Sequence, residues 1–590
     1  MKTRLSLSFI CFLACVFFSK IVAQKYGDEW INYNQKYYTF NIVKTGAYKI
    51  DYTTLVKNGI NPSLFKSQHI QVFGKEKEIP LYIVDGNDNK LDSGDYLLFH
   101  AQKNDGWLDS LLYDKPEDIG NPSYSLINDT LTYFFTWNMN SNNLRFELDT
   151  VSNYNDFTPA PYWWNKRIDG NASYYCESMF NSESSSPLYK SGEGYTFSVN
   201  GVAAIQSFNI GLISKNLIYQ GPGGPKALIE VKTTSHSNAD YTGKGNHHLK
   251  YTFKPSNEVF IDTLFSGHKM IYTIDSIPTS KLALNPTLNW EIINDQGAKS
   301  DIQGLNYVRV DYPTLTDLDN SNSGSFWIPP NKNGTHSYYK ITNATTLAPI
   351  GFLFGRNPKM LSFKKDGSTL NTLISNADKE QELILLDEKS ISQVTDLSAV
   401  NGTGQFTNFN LLSSENALLM IYPTTLQKGI LEYAAYRTSI EGGSNNLIIS
   451  SINELYLQFG GGVPKHFIGI RRFGKKMYDQ ASVKPKALFL IGKGFDNTSI
   501  RTNTALYAQC LIPTFGVPAS DIAMTSGFNG NWEPLIPTSR ITVTTNEELL
   551  IYLSKVKTYE KEQVQTSTYT SEQKDWQKQI IHFAGGTTKS

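Results

Sequence analysis

The sequence predicts β-rich domains of sandwich or jelly-roll type, followed by an α/β domain built on a parallel sheet. Three observations predict this. Aromatic residues make up 13% of the 590 residues, with 34 Tyr and 32 Phe, and aromatic and β-branched side chains suit a pleated, half-buried surface. Short strand-like runs separated by turn clusters fill the chain up to about residue 405. Beyond about residue 415, continuous apolar runs alternate with stretches of helical period, the pattern of a parallel sheet covered by helices.

The length suits roughly three or four domains of about 150 residues each. Hydrophobic residues at 40% and charged residues at 18% allow packed cores. The formal net charge is zero, so there is no basic surplus to neutralise phosphates, which argues against a dedicated nucleic-acid binder.

The first residues form an export signal. Lys2 and Arg4 are its positive region, and Leu5 to Phe18 is an apolar run. Ile21-Val22-Ala23 then places a small residue before the cut, so Gln24 begins the mature chain. The apolar run is too short for a membrane span of about 20 residues. Phe12-Leu13-Ala14-Cys15 resembles a lipidation site only faintly, because the apolar run continues past Cys15. The expected location is the exterior of the cell envelope, secreted or at the surface, with no membrane-spanning segment after cleavage. Cys11 and Cys15 leave with the leader, so Cys176 and Cys510 remain. A protein of this size with at most one bridge is held by its cores.

The elements follow in order. Tyr37 to Val43 and Ala47 to Ile50, joined by Lys44-Thr45-Gly46, predict a hairpin. Ile70 to Gly74 and Ile79 to Val84 flank a charged turn, and Tyr96 to Phe99 is a further strand. Residues 151 to about 190, rich in Asn, Ser, Pro and aromatics, show no period and are expected to wrap a surface. Tyr195 to Val199, Ala227 to Val231 and Tyr307 to Tyr312 are strands separated by clusters such as Gly221-Pro222-Gly223-Gly224-Pro225, as in a sandwich or jelly roll. Ala417 to Tyr422 begins the α/β part, then a helix carrying Leu426, Ile430, Tyr433, Ala434 and Arg437. Leu447 to Ile449, a helix with Ile468, Phe473, Met477 and Tyr478, the strand Ala487 to Gly492, a helix from Asn546 to Glu560 and the strand Ile580 to Ala584 complete it. The expected division is a leader at 1–23, a β-rich domain at 24–150, a sandwich-like domain at 151–325, a β-rich connection at 326–405, and the first part of an α/β domain at 406–590.

Several residues invite a functional reading. Cys510 sits among Ala508, Leu511 and Ile512, an apolar setting that makes a thiol inert, so a buried structural Cys outweighs a dyad with His582. His466 begins a helix and reads as a surface or capping residue. His247-His248 are adjacent in a strand and point to opposite faces, against a shared metal. Gly492-Lys493-Gly494 lacks the full phosphate-loop spacing. Arg471, Arg472, Lys475 and Lys476 read as a solvated basic helix face. Asp85, Asn87, Asp88 and Asp95 could bind calcium, yet a turn alone explains the first three. No cofactor and no metal are expected.

A longer series of residues resembles the gingipain family of cysteine peptidases. It comprises Asn453-Glu454-Leu455-Tyr456-Leu457-Gln458-Phe459-Gly460-Gly461-Gly462, Gly469-Ile470-Arg471-Arg472-Phe473, Ala487 to Gly492, Ile512 to Asp521 and Ile536 to Ile541. Tyr552 to Val556 with Tyr559-Glu560, and Trp576 with His582 to Gly586, extend it. Gly46 to Leu55, Phe73-Gly74 and Ile79-Pro80 resemble the leading region of the large members, which include sortase-like proteins of the type nine secretion system. The resemblance implies a caspase-like α/β fold and a late His and Cys at strand carboxyl ends, where a thiolate attacks and an imidazole takes its proton. It implies proteolysis or sortase-like processing of protein substrates, alongside other envelope proteins. The match fades near Gly586, so the expected dyad falls outside this sequence and no catalytic residue is carried over. Lys493 stands where many members have an acid, with Asp496 as a candidate substitute. The competing expectation is a non-catalytic surface protein that binds a partner or glycan through its β domains.

Overall fold

The computed structural model describes residues 26–149, 153–170, 174–176, 188–202, 205–212, 217–237, 246–267, 270–282, 286–297, 301–516, 519–528, 530–564, 575–576 and 579. The leader, His582 and the expected strand at Ile580 to Ala584 lie outside the described residues.

The front of the chain is a pair of facing sheets. Tyr38–Ile42 and Ile70–Gly74 both pair antiparallel with Leu131–Trp137 in one sheet. Gly46–Asp51 and Tyr82–Val84 pair antiparallel with Tyr96–Ala101 in the other. The expected hairpin across Lys44-Thr45-Gly46 is therefore corrected: its two strands belong to different sheets. The reason is burial. Phe40 and Ile42 from one sheet and Ile50, Leu97 and Phe99 from the other share one core, which a flat hairpin would leave open on one side. The charged turn after Gly74 is as expected, with Lys75 and Glu76 both at positive φ, the geometry of a tight two-residue hairpin.

A second sandwich follows. Ala227–Ser235, Met270–Ile277 and Asp301–Thr314 lie in an eleven-stranded sheet. That sheet continues through Trp163–Asp169 and Gly324–Ile328 to Gln381–Asp387. Ile205–Gly211, Thr287–Ile293, His247–Lys254 and Glu258–Phe265 form the facing four-stranded sheet. Ile229, Val231, Val308 and Val310 meet Leu249, Tyr251, Trp290 and Ile292 between them.

The last region is α/β. Leu418–Tyr422 is central, with Leu447–Ser451 on one side, Ala487–Ile491 on the other and Thr538–Ile541 beyond it, all parallel. Alternation explains the continuous apolar run. Leu419 and Ile421 face the helices Ile452–Gln458 and Ile468–Gln480, whereas Met420 faces Gln427–Thr438 and Asn546–Val564. The first of these two layers is shared with the β region. Leu112, Tyr113, Leu126, Tyr189 and Tyr195 pack there with Phe459, Phe467, Ile470 and Phe515.

Candidate functional site at the carboxyl ends of the parallel sheet

Open parallel sheets form crevices where successive connections leave in opposite directions. Here Leu418–Tyr422 connects outward to Leu447–Ser451, and Ala487–Ile491 connects the other way to Thr538–Ile541. The crevice therefore lies beyond Tyr422 and Ile491, and the loop starting at Gly492 borders it.

Arg540, at the carboxyl end of its strand, fastens that loop. Its guanidinium donates to Gly492 O at 3.0 Å, Ile512 O at 2.9 Å and Pro513 O at 3.2 Å. It also forks onto Asp521, with Nε at 2.8 Å and Nη2 at 2.7 Å from the two carboxylate oxygens. Planar guanidinium is suited to this two-pronged hold. Gly494 is needed for the close approach, since a Cβ there would come within 2.5 Å of Ile512 O. Lys493 holds the loop through its backbone, accepting from Leu511 N at 2.9 Å and donating to Val543 O at 3.2 Å. Its Nζ stands 4.9 Å from the Phe495 ring centre.

Asp496 caps the helix Asn497–Thr502, accepting from Ser499 N at 2.8 Å and from the Ser499 and Thr498 hydroxyls at 2.6 and 2.5 Å. Burial pushes its pKa up, but these hydrogen bonds outweigh it and hold the carboxyl below its ordinary value. Its oxygens are engaged by that cap.

Cys510 is a free thiol with 2% of its surface exposed. Burial raises its pKa, and Sγ lies 3.9 Å from Phe495 O. Lys465 donates to Cys510 O at 2.8 Å and to Tyr507 O. Among the described residues no imidazole is hydrogen-bonded to Cys510.

Two sequence expectations are corrected. His466 is fully buried rather than at the surface; its Nε2 lies 3.1 Å from Asp109 Oδ1, and its Nδ1 accepts from Ile468 N at 3.3 Å. The basic helix face is not simply solvated. Lys476 is buried against Asp28, Arg472 pairs with Glu76, and Arg471 donates to the carbonyls of Ala523 and Ser526. In both cases the acceptors come from distant parts of the chain, and no local pattern marks them. Lys475 does pair within its helix, with Asp479 at 2.8 Å.

The remaining candidates stay apart. His247 and His248 do point to opposite sides: His247 Nδ1 meets Asp301 at 2.6 Å, and His248 meets Asp262 at 2.7 Å and Asp295 at 3.0 Å. Asp85 accepts from Asn87 N at 3.1 Å within its turn and from the Ser67 hydroxyl, while Asp95 accepts from Asp92 N at 2.7 Å. Among the described residues, no group of three or more His, Cys, Asp or Glu is arranged to hold a metal ion. No described helix is long and apolar enough to cross a membrane. A groove of about 920 Å³ opens at the opposite end of the sheet, where Leu418 and Ala487 begin their strands, lined also by Tyr433, Tyr436 and Tyr552. Its volume is ligand-sized, but it stands at the amino ends, away from the loops where such folds place their chemistry.

Comparison with known proteins agrees with the resemblance read from the residues. Residues 412–590 match peptidase family C25, the gingipain family. The chain has the fold of dimeric latent PorU from Porphyromonas gingivalis, with a TM-score of 0.54, 14% identity and 88% of this chain covered. It spans about half of that protein, 49% of the chain. The CBM36-1 domain of a multidomain xylanase from the hindgut metagenome of Trinervitermes trinervoides aligns over 25% of this chain and 96% of its own, at 7% identity. Its TM-score of 0.14 carries no argument. No curated protein matches the chain.

Proposed function

We propose that this chain is the front portion of an exported, gingipain-like cysteine peptidase that processes proteins at the cell surface, by hydrolysis or by sortase-like transfer. The observation that carries this reading is the C25 match over 412–590, on a region whose parallel sheet opens at its carboxyl ends. The leader supports export, and the divisions at residues 150 and 405 belong to the proposed domain plan. The expected division at 325 falls inside the strand Gly324–Ile328, whose sheet runs on to Gln381–Asp387. The contribution of the described loop is to shape and border the crevice: Arg540 and Asp521 fix its backbone, and Lys493 brings a cation to its edge.

The test is to read the gene beyond codon 590. If the frame continues into a His and a later Cys at strand ends, and changing that Cys to Ala abolishes cleavage of peptide substrates, the reading stands. If a stop codon follows Ser590 in the gene, the peptidase reading fails. The β domains, with the packed polar and aromatic face described below, then become the functional part of a surface-binding protein.

A further inference from the structure

The outer face of the eleven-stranded sheet carries a cluster of paired charges and aromatic rings. Alternation along the strands defines this face. Val308 and Val310 point into the core, so Tyr307, Arg309 and Asp311 lie on the opposite face of the sheet, with Tyr307 and Asp311 buried there and Arg309 part-exposed. Phe326 and Ile328 are core residues, so Trp327 points outward, and Trp164, next to buried Trp163, stands opposite it in register. Register also aligns Ile274, Glu230, Arg309 and Ile168 in one row across four strands. A pocket of about 230 Å³ opens on this face, its lining including Lys166, Arg167, Glu230, Tyr307, Arg309 and Trp327.

Two features identify the kind of ligand. The first is charge balance. Arg309 forks onto Asp311, at 2.9 and 2.8 Å, and lies 3.9 Å from Glu230. Glu230 also accepts from the hydroxyls of Tyr307 and Tyr272. Lys166 pairs with Glu380, and Arg167 with Asp169. Every cation lining the pocket is matched by a carboxylate, so neither an anion nor a cation is favoured there. The second is the side-chain chemistry. Planar guanidinium and carboxylate groups, held in place by each other, offer paired donors and acceptors at fixed spacing. Tyr272, 52% exposed, offers a ring face on this side of the sheet, and the Trp327 ring lies in the pocket wall with the Lys166 Nζ 5.0 Å from its centre. Rings for C–H faces and fixed planar polar groups for hydroxyl pairs are the complement of a sugar.

We infer that this face of the β-sandwich, centred on Glu230, Arg309 and Trp327, binds a neutral oligosaccharide. The inference is independent of the peptidase reading and stands if that reading fails.

Affinity gel electrophoresis of the mature chain through gels containing hydroxyethyl cellulose, xylan, laminarin or dextran tests it. Polygalacturonate is the acidic control, and a gel without polysaccharide is the reference. Retardation by at least one neutral polymer is expected, weakened about tenfold by Trp327→Ala and by Arg309→Ala. Tyr272→Ala, a change at an exposed side chain, is expected to weaken it about threefold, the scale of one aromatic contact. Tyr272→Phe removes only a hydroxyl and retains most of the retardation. If no neutral polymer retards the chain, if only polygalacturonate does, or if all three alanine variants migrate as the parent does, the inference is overturned.

Discussion

At the residue scale, buried ionic contacts decide where the β region meets the α/β region. Asp28 and Lys476 are each about 5% exposed and pair across most of the length of the chain. Removing one partner of such a pair leaves a buried charge uncompensated, at a cost of about 3–5 kcal/mol. Asp28→Ala or Lys476→Met alone is therefore expected to lower the urea midpoint of the mature chain clearly. Replacing both with apolar residues is expected to recover much of the loss. A second residue sets a pH dependence. His100 stands beside Phe352 and Phe354, and burial, aided by Lys75, lowers its pKa to about 4. The unfolded chain then binds the proton first, near the ordinary value of about 6.5. The contribution of this side chain is fully present above pH 6.5 and is lost progressively as pH falls towards 4. Relative to His100→Phe, the parent is expected to lose stability across that window and to run parallel to it above. Denaturation midpoints at several pH values check this.

At the scale of elements, the turn after the helix Ile452–Gln458 shows how a local feature serves a distant contact. Gly462 has φ +78°, and its carbonyl accepts from Thr132 N at 2.9 Å. A Cβ at this position would come within 2.5 Å of Thr132 O. The strand Leu131–Trp137 thus docks directly onto the turn, and Asn128 Nδ2 reaches Pro464 O beside it. Gly462→Ala is expected to cost about 1–3 kcal/mol, from strain at a left-handed position and from the displaced strand. Thermal unfolding would read the loss, and protease sensitivity near residue 130 would show that the contact had opened. The Gly-rich series at 460–462 is one of the stretches resembling the gingipain family, and its role here is to admit a neighbouring backbone.

At the scale of the whole molecule, one layer of the parallel sheet is completed by the β region. Leu112, Tyr113, Leu126 and Tyr189 lie in the same core as Phe459, Phe467, Phe473 and Phe515. His466, Arg472 and Lys476 find their partners in Asp109, Glu76 and Asp28. Residues 412–590 expressed alone would therefore expose this layer and leave buried charges unpaired. We expect no cooperative, monomeric unfolding transition from that piece, and recovery of one when residues 24–411 are supplied with it. A cooperative monomeric transition from the piece alone would contradict this account of the interface.

The sequence by itself determined the kinds of element where a clear period ran, but not the strand Trp163–Asp169, which lies in a stretch expected to wrap a surface and instead joins the large sheet with Trp163 fully buried. Continuous apolar runs at 417–422 and 487–492 named parallel strands, because a strand buried on both faces needs no polar alternation. The apolar neighbours of Cys510 foretold a buried thiol, since burial is a local property of such a segment. The ordered motifs from Asn453 to Glu560 carried the resemblance to a peptidase family. Only the tertiary structure decided which strands pair and where isolated charges go. The strands around Lys44-Thr45-Gly46 separate into two sheets because a shared core of Phe40, Ile50 and Phe99 outweighs a local hairpin. His466 and Lys476 turn inward because their acids arrive from some 360 and 450 residues away. The period of a helix shows which side chains share a face, but the partner of a charge belongs to another part of the chain, and folding alone brings the two together.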